Sequence, residues 1–263
     1  MHSHSAGGVG ILDVFTIAAV AFAALIYVGS ALRNRERRPW PLRRSAYWVA
    51  GMLAILVATV GPIATAGHGS FSAHMVGHVL LGMLAPLLLV LAQPFTLALR
   101  SLEVVPARRL SALMRTSLVR FLVHPVTATT LNVAGLWLLY TTELYPAAHD
   151  NDLLLTFVHV HVLAAGYLFT ASIVGVDPSP HRPEYAFRAV ILLIAMAGHG
   201  ILAKYLFGHP PLGVPASQAE VGSMVMYYGG DIIDLVLVIV LCHQWWISTR
   251  KHARSTNYTA FRR

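Results

Sequence analysis

The sequence predicts an all-α polytopic membrane protein, a bundle of seven transmembrane helices with the N-terminus external and the C-terminus cytoplasmic. Three observations predict it. Of 263 residues, 56% are hydrophobic and only 11% are charged, where a soluble domain carries about 25% charged residues. Apolar runs of about 20 residues recur along the chain, the length that crosses roughly 30 Å of hydrocarbon. The basic residues, finally, gather in alternate loops. Together these exclude a soluble globular enzyme.

Taken in order, apolar length and polar interruptions predict spans over Ile11–Leu32, Ser45–Ala66, His74–Leu99, Leu122–Thr141, Leu153–Val174, Ala186–Phe207 and Val221–Ile247. No Lys or Arg precedes the first run and a basic cluster follows it, so it reads as a retained span rather than a cleaved signal. Pro62, Pro86 and Pro94 are tolerated in membrane helices, where neighbours satisfy the freed backbone groups, and Pro86 is placed to kink the third. The segment over 100–121 reads as a cytoplasmic loop with an amphipathic surface helix. Residues 1–10 read as an external N-terminal segment, 11–249 as one membrane domain and 250–263 as a basic cytoplasmic tail. No internal repeat is visible.

Charge sets the orientation. Arg33, Arg35, Arg37, Arg38, Arg43 and Arg44 lie between spans one and two, and Arg100, Arg108, Arg109, Arg115 and Arg120 between three and four. Arg182 and Arg188 lie between five and six, and Arg250, Lys251, Arg254, Arg262 and Arg263 in the tail. Every basic residue except Lys204 thus falls on one side, which the positive-inside rule makes cytoplasmic. The net charge of +8 then reflects topology and contact with anionic lipid heads, not a nucleic-acid partner. The single cysteine, Cys242, excludes an internal disulfide and CxxC-type redox or metal motifs.

The chain holds 14 histidines, and several fall inside spans. An ionisable group in hydrocarbon costs on the order of 2.5–3.5 kcal/mol, so each is a candidate functional residue. At 1.5 Å per residue, His159 lies about 10 Å, His199 about 13 Å and Asp231 about 14 Å from the external ends of their helices. His74 and His78 occupy the outer turns of span three. Four helices therefore bring His74, His78, His159, His199 and Asp231 to the external half of the membrane. His74 and His78 are four residues apart and share a helix face, as Asp231 and Asp234 do at three. His159 and His161 diverge, and His159 is preferred for the site. Met75, Met83, Met196, Met224 and Met226 lie on the same helices, and imidazole with thioether suits copper, the thioether favouring Cu(I).

Plainer roles compete with each of these. A methionine is a common gap-filler in packing, and an HxxxH pair also occurs in helix packing. Asp231 and Asp234 can serve as partners for Lys204 or the imidazoles, Lys204 can snorkel, and His161 suits a helix–helix hydrogen bond. His68, His149 and His209 fall in external loops, where solvated side chains are the expectation. His2 and His4 read as a solvated terminus, and His124, His243 and His252 as cytoplasmic and remote from the cluster.

At these residues the sequence resembles a known family. FSAHMVGHVLLGMLAPLLLVLAQP, from Phe71 to Pro94, resembles the third-helix signature of the seven-span CtaG family of caa3-type cytochrome c oxidase assembly factors. WLLYTTELYPAAHD, from Trp137 to Asp150, is similar to that family's fourth span and the loop after it. HVHVLAAGYLF, from His159 to Phe169, resembles its fifth, with His159 on the family's histidine, and QAEVGSMVMYYGGD, from Gln218 to Asp231, its entry to span seven. The resemblance covers roughly residues 12–250. It implies a non-enzymatic assembly factor for a haem–copper oxidase in the bacterial plasma membrane. Such a factor would hold copper through His74, His78, His159 and His199, with Met75, Met196, Met226, Asp231 and Asp234 as auxiliaries. Its partners would be oxidase subunits or an external copper chaperone. Two other functions use the same residues: a zinc metallohydrolase with an Asp base, and a bis-histidine haem protein.

Overall fold

In a computed structural model, residues 10–34, 39–177 and 182–260 are described, the last ten as backbone only. Most of the N-terminal segment read over 1–10, with His2 and His4, lies outside the described residues, as do Arg35, Arg37, Arg38, Arg262 and Arg263. The side chains of Lys251, His252 and Arg254 are likewise not described. Helix α1 spans Ile11–Arg33 and α2 Leu42–Thr59. Gly61 and Pro62 interrupt the second predicted span, and the chain restarts as α3, Pro62–Gly67.

The third predicted span is also interrupted, for a legible reason. It runs as α4, Phe71–Val79, then a single π-helical turn over Leu80–Leu84, then α5, Ala85–Leu91. Pro86 lacks the N–H that would bond the carbonyl of Gly82, four residues earlier, and the widened turn lies just before it. Such turns are frequent at functional sites. Here it begins two residues after His78. Helix α11, Asp152–Val174, presses close against it. A Cβ at Gly166 would collide with the backbone oxygen of Gly82, so only glycine fits. After α5, Gln93 adopts a left-handed conformation (φ 57°) that ends the helix.

Three short helices then follow, α6 (Pro94–Ser101), α7 (Val104–Met114) and α8 (Ser117–Leu122). Asp177, in the loop after α11, accepts the Thr96 N–H at 2.9 Å and the Thr96 hydroxyl at 2.5 Å, capping the first turn of α6. Burial raises the Asp177 carboxyl above its ordinary value, and the Thr96 bonds and Arg44 offset part of that. Helix α9 spans Pro125–Thr141, the short α10 Leu144–His149, α12 Tyr185–Gly208 and α13 Ala216–Ala260. The Asn151 side chain caps α11 by accepting from Leu153 and Leu154 N–H.

The described residues form a helical bundle, and six stretches are helical, long and apolar enough to cross a membrane. They are Ile11–Arg33, Leu42–Gly67, Phe71–Ser101, Asp152–Val174, Tyr185–Gly208 and Ala216–Arg250. The expected seventh, over Leu122–Thr141, is α9, a helix of 17 residues. It covers about 26 Å at 1.5 Å per residue, short of a full hydrocarbon thickness. Of its predicted first turn, Leu122 ends α8, and Pro125 starts a new helix after His124.

Two apolar layers fill the bundle. Near α10, Phe71, Met75, Leu136, Leu139, Tyr140, Leu202, Leu206 and Met226 pack together. Toward α6–α8, Leu87, Ala128, Phe169, Ile173, Leu192, Ala195, Ile233 and Leu237 do so. Helix α1 packs chiefly on α2 and α6, and its Val20 joins a further cluster with Met52, Ile55, Leu81 and Leu89.

Candidate functional site

A polar level separates the two apolar layers. On α4, His78 lies between Met75 of one layer and Val79 of the other; on α12, His199 lies between Leu202 and Ala195. On α9, Asn132 falls between Leu136 and Ala128. His78, His199 and Asp234 are all buried, at 6%, 7% and 4% exposure. The ring centres of His78 and His199 are 6.1 Å apart and the planes only 19° from parallel. Neither ring's Nε2 has a hydrogen-bond partner, although a buried polar group normally has one. Both rings face a largely enclosed cavity of about 20 Å³, also lined by Met83, Asn132 and Asp234. That volume suffices for one water-sized occupant.

Glycine makes the approach of α13 possible. A Cβ at Gly230 would lie 2.5 Å from His199 Cε1 and 3.5 Å from Met83 Sδ. The His199 ring is therefore seated against the α13 backbone, with the thioether close by.

Nearer α10, a cavity of about 730 Å³ runs between α1, α2, α3, α4, α10 and α11. His68, His74, His149 and His159 line it, as do Asp13 and Asp152, and His78 lines both cavities. His74 donates to or accepts from the Tyr140 hydroxyl at 3.1 Å, by tautomer. Its ring centre is 5.3 Å from His149 and 5.0 Å from Tyr145. His68 and His149 are 5.9 Å apart. The Nδ1 of His149 pairs with the Tyr145 carbonyl at 2.9 Å, which fixes the ring and leaves Nε2 uncommitted. Burial pushes the Tyr145 hydroxyl up to about 12, so near neutrality it stays protonated and packs against His149 as a phenol.

The predicted quartet is thus divided. His78 and His199 face each other, whereas His74 and His159 share the wide cavity with His68 and His149, two residues that sequence reasoning had left in solvent. His161 contacts the Leu131 carbonyl at 3.3 Å, beside Gly135. Asp231 and Asp234 do not act together: Asp234 lines the small cavity and Asp231 is exposed on the outside of α13. Three residues along a helix differ by about 60° in direction, enough to turn one carboxylate outward. Met75 and Met226 are fully buried in the apolar layer near α10, and Met196 packs on the other layer. Met83 is the thioether that reaches the cavity. Lys204 is exposed, its ammonium 5.2 Å from the Tyr227 ring centre. Among the described residues, no three His, Cys, Asp or Glu side chains stand together as a group that could hold a metal ion.

Fold and site together define a multi-pass membrane protein with a histidine-lined polar centre. The chain belongs to the Caa3_CtaG family, described as cytochrome c oxidase caa3 assembly factor, whose model matches residues 25–248. It is similar to an uncharacterized protein of Mycobacterium leprae, 30% identical over 241 residues, which are 83% of this chain and 37% of that one. Uncharacterized proteins of Mycobacterium bovis and Mycobacterium tuberculosis are 35% identical over 258 residues, 90% of this chain and 38% of theirs. The chain therefore spans less than two-fifths of the relatives it matches. No solved structure matches it. These relatives and the apolar helices agree on a multi-pass bacterial membrane protein.

Proposed function

We propose that this chain acts in the assembly of a haem–copper oxidase by holding copper between His78 and His199 and releasing it to an oxidase subunit or an external chaperone. One observation carries the reading: two buried imidazoles with unpartnered Nε2 atoms face an enclosed, ion-sized cavity that a thioether and a carboxyl also line. Two imidazoles with a thioether are a donor set for a soft cuprous ion. Two imidazoles bridged by one ion through bonds of about 2 Å have ring centres about 5–6 Å apart, and the observed 6.1 Å is near that span. The apolar layers above and below keep bulk water from the site and so slow release until a recipient docks.

The zinc hydrolase and haem readings draw less support. The family whose model matches is described as an assembly factor, and the cavity between His78 and His199 is too small for a haem or an organic substrate. In the proposed topology the α10 end is external, because the basic loops lie at the other end, and α9 completes a seventh crossing with α8 and α10 at its ends. Copper would then be held in the external half of the membrane.

The test replaces His78 and His199 by Ala, singly and together, in the full chain. Copper per purified protein and the yield of active oxidase should fall together, and added copper should restore part of the yield by mass action. A double variant that binds copper normally and assembles a fully active oxidase would overturn the proposal.

A further inference from the structure

We infer that the wide cavity is an entry vestibule for the metal, in which His149 pairs with His74 as a first, exchangeable two-imidazole station, with exposed His68 on its solvent side, and feeds the enclosed station at His78 and His199. The inference rests on the copper reading above and adds a second site and a route. The distances fit a bridging role: His149 lies 5.3 Å from His74 and 5.9 Å from His68, centre to centre, within the span of two imidazoles sharing one ion through bonds of about 2 Å. The bond from Nδ1 to the Tyr145 carbonyl orients His149 and leaves Nε2 for a ligand. Asp13 and Asp152 on the same cavity wall supply the negative potential that gathers cations in a cleft.

The route follows from shared walls. His78 lines the vestibule and the small cavity alike, and His74 stands one helical turn before it on the same face of α4. The Tyr140 ring contacts both, at 5.9 Å from His74 and 6.1 Å from His78. Transfer is ligand exchange: each Cu–N bond that breaks is replaced by a bond to the next neutral imidazole. The ion stays Cu(I), and no electron or proton moves. His68 is exposed and His149 and His74 half-buried, while His78 and His199 are buried, so the first station exchanges with solvent and the second does not.

The experiment uses the full chain purified in detergent micelles and titrated anaerobically with Cu(I) against a colorimetric Cu(I) chelator, with stopped-flow loading. Wild type should hold two ions, one released fast and one slowly. The pair His68→Ala and His149→Ala should keep only the slow ion and load it about 10-fold or more slowly. The pair His78→Ala and His199→Ala should keep only the fast one. If the first pair does not fold, His149→Gln, which can still donate to the Tyr145 carbonyl, should show the same loss of the fast ion. One ion in wild type, loaded by the His68 and His149 variant at the wild-type rate, would overturn the vestibule while leaving the buried site intact. A wild type that binds no Cu(I) would overturn the copper reading itself.

Discussion

Gly230→Ala offers a sharp test of how α13 seats the buried pair. The added methyl would lie 2.5 Å from Cε1 and 3.0 Å from Nδ1 of His199. Carbon atoms rest at about 3.5–4.0 Å, so the ring must retreat by about 1 Å, away from α13 and out of its alignment with His78. Overpacking of this kind costs about 1–3 kcal/mol, and alanine in place of glycine in a helix returns about 1 kcal/mol. The net loss of stability is therefore small, about 0–2 kcal/mol. The effect on copper should be larger in proportion, because disturbing a residue that positions a ligand typically costs about 10–100-fold in affinity. Gly77→Ala is the control. It gains the same helix propensity, and its methyl meets only the Ala58 carbonyl, at an ordinary 3.6 Å. Thermal unfolding in detergent and Cu(I) competition read the two quantities separately. If Gly230→Ala keeps both the wild-type affinity and the wild-type midpoint, the seat of His199 against α13 has no bearing on binding and the reasoning fails.

Gly166→Ala should do more damage to the fold, since its methyl meets backbone, the Gly82 carbonyl, and also Pro86 Cγ at 3.0 Å. A loss of about 3 kcal/mol or more is expected, read as a lower thermal midpoint and a broadened gel-filtration peak, and an unchanged midpoint would show that α11 can simply move away. For topology, single cysteines at Gly69 and Ala147, both exposed, should react with an impermeant thiol reagent in intact cells of a Cys242→Ser background, while one at Arg108 should react only after lysis. The reverse pattern would invert the orientation. At the other end, Asp177 has a folded-state pKa above its unfolded value. The neutral form therefore favours the fold, and that contribution, present below the unfolded pKa, is lost as pH rises through the folded one. Asp177→Asn should flatten the dependence of stability on pH just above the ordinary carboxylate range, and a wild-type slope in the variant would assign that dependence to another group.

Apolar length and charge scarcity are one-dimensional properties, and they located the membrane-crossing helices to within a few residues. They did not locate the breaks. Gly61–Pro62 and Gln93 interrupt stretches that stay apolar throughout, and a hydropathy window averages across them. The π turn over Leu80–Leu84 was foreshadowed by Pro86, which predicts a missing backbone bond without saying whether the helix bends or widens. Packing decides that, through the approach of Gly166 to the Gly82 carbonyl. The predicted fourth span is shorter than expected because Pro125 starts a new helix inside the apolar run, and α8 ends at Leu122 before it.

For the site, depth counted from helix ends tolerates boundary errors that direction does not. His78 and His199 occupy one polar level because each stands a matching number of turns from its own helix end, and depth survives small errors in helix boundaries. Direction does not: a one-residue error is about 100°, and the 60° between Asp231 and Asp234 is enough to place one in the cavity and the other on the surface. His68 and His149 had a weaker signal still. Each lies at the end of a short helix, His68 just after α3 and His149 as the last residue of α10. What could have found them is proximity in sequence to the intramembrane histidines. His68 lies six residues before His74, across one short turn, and His149 ten before His159, across the Asn151 cap. A short turn between two such residues holds them at the same end of the bundle, so a histidine just outside a span can line the same cavity as one inside it. The vestibule is the consequence of that pairing made twice, once at α3–α4 and once at α10–α11.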